Sequence, residues 1–252
     1  MKLNFSKIVV GLLSLNLLLA PAASFAAASS TDHGTKTHTP GAAFCKNIDA
    51  ASQKIEAAVA SRTDKIAANK NARAAKLQAS REARDQALNT ARAARDAQRD
   101  AHITTLTGKA NTDAKKAAVT TFKTAINTAV SARRTSVDAA IKTFRTGVDA
   151  LITGKFATLD TGVTTYKAAV DSAIATAKTS CAGGTDSATV RSTMKASIEA
   201  ARTAFKATRT DAQIKDDIKQ LADARKVSID ASIAQFKTDV AKAQADLKAA
   251  FK

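Results

Sequence analysis

Three segments decide the fold: VTTFKTAIN at 119–127, IKTFRTGVD at 141–149 and VTTYKAAVD at 163–171. They begin 22 residues apart, and the finer period between them is eleven. Val119, Val130, Ile141, Ile152, Val163 and Ile174 form one column. Ile126, Val137, Val148, Leu159, Val170 and Cys181 form a second, and Phe122, Arg133, Phe144, Lys155 and Tyr166 a third. Eleven residues in three turns is about 3.67 per turn, close to the ~3.6 of an α-helix. Such a helix keeps one stripe turned to its partner while staying nearly straight.

The same period extends outward. Upstream, Ile55, Ile66, Leu77 and Leu88 stand in one column and Arg62, Arg73, Arg84 and Arg95 in the next. Downstream, Ile218, Ile229, Val240 and Phe251 repeat it, flanked by Phe236 and Leu247. The phase changes at two places that carry stop and start residues. Gly108 is followed by Asn111-Thr112-Asp113, and Cys181-Ala182-Gly183-Gly184 by Thr185, Asp186 and Ser187. Glycine past a helix end and Asn, Thr, Asp or Ser before the next are the usual termini. The expected helices are 46–107, 112–182 and 186–251, in an all-α, elongated antiparallel three-helix bundle or coiled-coil rod. Two features strain this reading. Gly147, Gly154 and Gly162 interrupt the second helix, although the apolar columns pass through without a slip. Gly147 and Gly162 lie beside the stripe, where close helix approach is their expected role. In the third helix the phase of Val190, Met194, Ile198 and Phe205 does not continue into Ile214, Ile218 and Leu221. A break over 208–211 would explain it.

Composition agrees with long helices. The 252 residues include 59 alanines, only 9 glycines and 2 prolines, Pro21 and Pro40, both near the N-terminus. Turn-rich β folds and Pro/Gly-rich disordered chains are excluded on that ground. The first 26 residues read as a signal peptide: Lys2 and Lys7, then an apolar run over Ile8–Leu19, then Ser24-Phe25-Ala26 with small residues at the cleavage positions. No transmembrane segment is expected once this is removed. Residues 27–44 have linker composition, and His33 and His38 there read as solvated. The bundle is expected over 45–252.

Export and an even cysteine count predict one disulfide, Cys45–Cys181. A hairpin centred on residue 111 matches Cys45 with about residue 177, one turn from Cys181. The bond would close a loop of about 136 residues, worth roughly 4–5 kcal/mol by chain entropy.

Removing Lys2 and Lys7 lowers the formal charge from +17 to +15. A polyanion partner is one reading, with Arg81, Arg92, Arg95 and Arg99 as the candidate face. A second reading takes the charges as structural. Asp138, Asp149 and Asp160 recur at eleven residues, and the 111-centred hairpin matches Arg62 with Asp160, Arg73 with Asp149 and Arg84 with Asp138. That predicts an interhelical ion ladder setting register. Arg134–Asp138, Arg145–Asp149, Lys226–Asp230 and Lys242–Asp246 have i,i+4 spacing. Specific nucleic-acid binding is not expected, because aromatics are only 4% and lie in the apolar pattern.

In period the chain resembles lipid-surface proteins with eleven-residue amphipathic repeats, which implies membrane-surface binding. Two threonine columns, Thr121/Thr143/Thr165/Thr176 and Thr124/Thr135/Thr146/Thr179, give one face of the second helix a spacing similar to that of helical ice-binding proteins. Neutral surface filling is the plainer account of that face. No catalytic, metal or cofactor constellation is present in the sequence: Glu56, Glu82 and Glu199 are far apart, and His102 stands beside Arg99 and Asp100 with no second ligand. The expectation is an exported, non-enzymatic helical structural or interaction protein of the cell envelope or medium. The alternative is a basic module for anionic surface polymers or lipid head groups. The partner, another protein or an anionic envelope polymer, and the oligomeric state are left open.

Overall fold

The computed structural model describes residues 43–208 and 212–252. The expected signal peptide and nearly all of the expected linker lie outside them. Among the described residues the chain is all-α. A 3-10 turn at Cys45–Asn47 leads into α1 (Ile48–Lys109), followed by α2 (Asp113–Ala182), α3 (Ser187–Ala207) and α4 (Ala212–Ala250). The segment expected as one helix over 186–251 is therefore two, and the interruption falls where the apolar phase slips.

The helix ends follow from local chemistry. The Thr112 hydroxyl accepts from the Lys115 N–H at 3.3 Å and caps α2. α2 closes with Gly183 N–H on the Thr179 carbonyl and Thr185 N–H on the Ser180 carbonyl. Gly184 stands between them at φ 77°, the left-handed conformation that glycine adopts without a Cβ clash. Two residues later the Asp186 carboxylate accepts from the Thr189 N–H at 2.9 Å and starts α3. That bond holds the Asp186 carboxyl below the ordinary carboxylate range.

The described residues form two compact units, and α1 and α2 contribute to both. One unit takes the described residues up to Arg73 together with Thr153–Gln213; the other takes Ala74–Ile152 and Ile214–Lys252. In the first, Val59 of α1, Tyr166, Val170 and Ile174 of α2 and Val190 and Met194 of α3 form one buried cluster. The Tyr166 and Phe205 rings lie 5.7 Å apart. Val170 is 1% exposed, so its burial alone is worth about 1.5–3 kcal/mol. In the second unit, Ile103, Ala110 and Val119 pack with Leu247 and Phe251, while Ile126, Val130 and Ala243 pack with Phe236 and Val240. Every member of the two aliphatic α2 columns from 119 to 181 is buried or half-buried.

Gly147 and Gly162 mark close approach. A Cβ at Gly147 would stand 2.8 Å from the Leu221 methyls; one at Gly162 would stand 2.8 Å from the Thr208 hydroxyl and 3.3 Å from the Phe205 ring. Gly154 faces open space.

Candidate functional site

Four features of the surface and seams carry chemistry. The first is the disulfide. Cys45 and Cys181 are bonded, with Cα atoms 5.3 Å apart, so the lead-in to α1 is tied to the last turn of α2. The Cys45 N–H also donates to the Ser187 hydroxyl, at the first residue of α3, at 3.3 Å. Lys178 pairs with Asp49 at 2.8 Å beside the bond. The start of α1, the end of α2 and the start of α3 meet there.

The second feature is the α1–α2 charge seam. Asp160 pairs with Lys70 at 2.8 Å, Asp149 with Arg81 at 2.8 and 3.0 Å, and Asp138 with Arg92 at 2.6 and 3.0 Å. The carboxylate column is the expected one, but its cations are not. Lys70, Arg81 and Arg92 stand eight residues further along α1 than the expected Arg62, Arg73 and Arg84. Side chains on a helix tilt toward its N-terminus. In an antiparallel hairpin that tilt carries an α1 side chain away from the turn and an α2 side chain toward it. Groups that meet therefore start from Cα atoms offset along the axis, the α1 residue lying nearer the turn than its α2 partner. Matching Cα levels alone puts the pairs out of register.

Reciprocal rungs interleave with these. Arg145 of α2 bonds Asp85 of α1 at 2.5 and 2.8 Å, and Arg134 bonds Asp96 at 2.5 and 3.0 Å. In all five rungs the two residue numbers add to 230. Arg134 and Arg145, spaced for Asp138 and Asp149 on their own helix, thus send these bonds across the seam. Asp96 also accepts from Arg99 at 2.6 Å. The hydrogen bonds from Arg134 and Arg99 hold the Asp96 carboxyl at about 2, and the bond from Arg145 holds Asp85 low. Conversely, the bonds to Asp138 and Asp85 push Arg92 and Arg145 up. The intrahelical pairs Lys226–Asp230 and Lys242–Asp246 form on α4 as expected.

The candidate polyanion face is changed by this. Arg81, Arg92 and Arg99 are engaged with Asp149, Asp138 and Asp96, and their side chains are 14%, 19% and 21% exposed. Arg95 is exposed.

The third feature escaped the sequence reading. In the second unit, the Arg133 guanidinium of α2 lies 4.1 Å from the centroid of the Phe236 ring of α4. One eleven-residue step along, the roles exchange: Arg225 of α4 lies 4.3 Å from the centroid of Phe144 of α2. Burial pushes the Arg133 guanidinium down, and the charges of Arg95, Arg134 and Arg92 push it further. Arg84 is pushed down by burial and then by Arg145, Arg225 and Arg81; Arg225 is pushed down by burial. Arginines are stacked on aromatic faces and crowded against one another at the margin of the core. The signal was the alternation of Phe122, Arg133 and Phe144 against Arg225, Phe236 and Leu247, which becomes readable once the α2–α4 register is known.

The fourth feature is a groove between α2 and α3 in the first unit. Two adjoining hollows of about 580 and 510 Å³ share Ala169, Ala201 and Ala204. Their walls are Ala, Ser, Thr and Gly, with Val190, Met194, Tyr166 and Phe205 at the floor; no charged residue lines them. Thr165 and Thr176 of the threonine columns border the groove, and all eight column threonines are exposed.

Among the described residues no group of His, Cys, Asp and Glu is placed to hold a metal ion, and His102 is exposed. No described helix is long and apolar enough to cross a membrane. Comparison with protein-family models, with curated proteins and with solved structures finds no match for this chain.

Proposed function

We propose that this chain is an exported, non-enzymatic helical protein that serves as a structural or interaction module of the cell envelope or medium. Each unit is read as three antiparallel helical segments packed along an eleven-residue stripe. The observation that carries the proposal is the α2–α3 groove. In a sequence with 24% charged residues, the twelve α2 residues that line it, spread over Ala157–Ser180 or about 36 Å of helix, include no charge. Small side chains let another helix approach closely, and Ser and Thr hydroxyls can bond across the contact. A photoreactive residue at Ser172 tests this in the native compartment. A discrete cross-linked species is expected from Ser172 and not from Lys123. Equal labelling at both positions would sink the reading.

The stacked arginines favour a second reading, a basic module for anionic surface polymers or lipid head groups. Retention on heparin, lipoteichoic acid or anionic vesicles that persists at about 0.15 M salt and vanishes at high salt supports it. Indifference at about 0.15 M removes it.

A further inference from the structure

We propose that Arg95 and Arg133, with Phe236 beneath the Arg133 guanidinium, form a seat for a tetrahedral oxyanion, a phosphate or sulfate group. The inference rests on the second reading above and gives it a site. The Arg134–Asp96 rung fixes α1 against α2 at this level, with paired distances of 2.5 and 3.0 Å. Arg133 and Arg95 each precede a member of that rung by one residue; on antiparallel helices this turns both to the same side of the seam and separates their levels by only about 3 Å. The nearby carboxylates are occupied. Asp138 receives Arg92 on both oxygens, and Asp96 receives Arg134 on both and Arg99 on one. Five guanidinium groups, from Arg92, Arg95, Arg99, Arg133 and Arg134, thus share two carboxylates.

Hydrogen-bonding capacity is left over as well as charge. The Nε–H groups of Arg99 and Arg134 are buried and have no acceptor. The Arg133 guanidinium carbon lies 4.1 Å from the Phe236 ring centroid, and a guanidinium packed by its face on a ring keeps its N–H donors at the edge for hydrogen bonding. Arg95 is exposed and Arg133 half-buried, so solvent reaches both. Burial and the neighbouring arginines already disfavour the charge on Arg133. A dianion relieves that repulsion, and a planar fork suits its oxygens. One repeat away, Arg84, Arg225 and Phe144 form a second group of two arginines and one ring, about 16 Å along the helix.

The test uses the purified exported chain, titrated with sodium pyrophosphate against sodium chloride of equal ionic strength. Calorimetry and thermal melting are the readouts. A saturable heat and a raised melting temperature are expected with pyrophosphate only, with affinity at least tenfold weaker in Arg95→Gln and in Arg133→Gln. Arg95→Gln alters an exposed side chain, so its circular dichroism should match the parent and its loss of binding cannot be ascribed to unfolding. Chloride acting as well as pyrophosphate, or both variants binding like the parent, would overturn the seat. Vesicles with phosphate head groups form a parallel arm. If neither variant weakens pyrophosphate binding while vesicles or heparin retain parent and variants alike, the seat is wrong and the basic-surface reading stands. If pyrophosphate binds in an Arg95-dependent manner but no polymer or vesicle is retained, the seat stands and that reading falls.

Discussion

Asp96 of α1 accepts hydrogen bonds from Arg134 of the facing helix at 2.5 and 3.0 Å and from Arg99, one turn along its own helix, at 2.6 Å. These hydrogen bonds, from Arg134 first and Arg99 second, push the Asp96 carboxyl down to about 2. Its folded pKa is lower than its unfolded one, so its contribution is complete above about pH 4 and is lost as the pH falls toward about 2. Asp85, held low by Arg145, acts in the same direction. The chain should therefore lose stability through that window. Asp96→Asn should be less stable at pH 7 and have a flatter acid limb. Urea midpoints measured from pH 7 to pH 2 check this; parallel curves for parent and variant would contradict it.

The rung between Arg81 and Asp149 sets register more than it adds stability. The Asp149 side chain is 52% exposed, and pairs of that kind contribute about 0–1 kcal/mol. Arg81→Asp or Asp149→Arg alone should lower stability by about 1 kcal/mol through like-charge contact. The double exchange should recover most of the loss. A double variant no better than the sum of the singles would show that the two positions are uncoupled.

The glycines of α2 make an internal comparison. Gly154→Ala places a methyl in open space and should stabilise the helix by about 1 kcal/mol. Gly162→Ala drives a methyl to 2.8 Å from the Thr208 hydroxyl and should cost about 1–3 kcal/mol. Gly147→Ala meets only the movable methyls of Leu221 and should fall between them. Thermal melts of the three variants would give that order, and a stabilised Gly162→Ala would be inconsistent with the α2–α3 packing.

Reduction of the disulfide should be costly. The bond spans 136 residues of sequence, and closing a loop of that size is worth about 4–5 kcal/mol by chain entropy. Cys45→Ser, or the parent in reductant, should unfold at a clearly lower urea concentration. An unchanged midpoint would mean that the denatured chain keeps α1 and α2 together without the bond.

Much of this was readable from the residues. The columns through Val119, Ile126 and their successors lie inward because three turns nearly close on eleven residues. Gly184 and Asp186 end and restart the helices as their chemistry dictates. Cys45 and Cys181 are joined, as the even cysteine count led one to expect. The ladder was half readable: Asp138, Asp149 and Asp160 face the seam, but the direction of side-chain tilt selects Lys70, Arg81 and Arg92 as partners. The stacking of Arg133 on Phe236 and of Arg225 on Phe144 depends on how α4 slides against α2, which no single helix encodes. The α2–α3 groove likewise depends on which faces the packed helices leave open.

The covalent clamp has a mechanical consequence. Tension applied through residue 45 passes to residue 181 across the sulfur bridge, so the covalent force path bypasses α1 and most of α2. The force path to Lys252 then runs through α3 and α4 alone. In a chain held under tension the bridge thus spares the backbone between residues 45 and 181 from being drawn out before the sulfur bond is reduced.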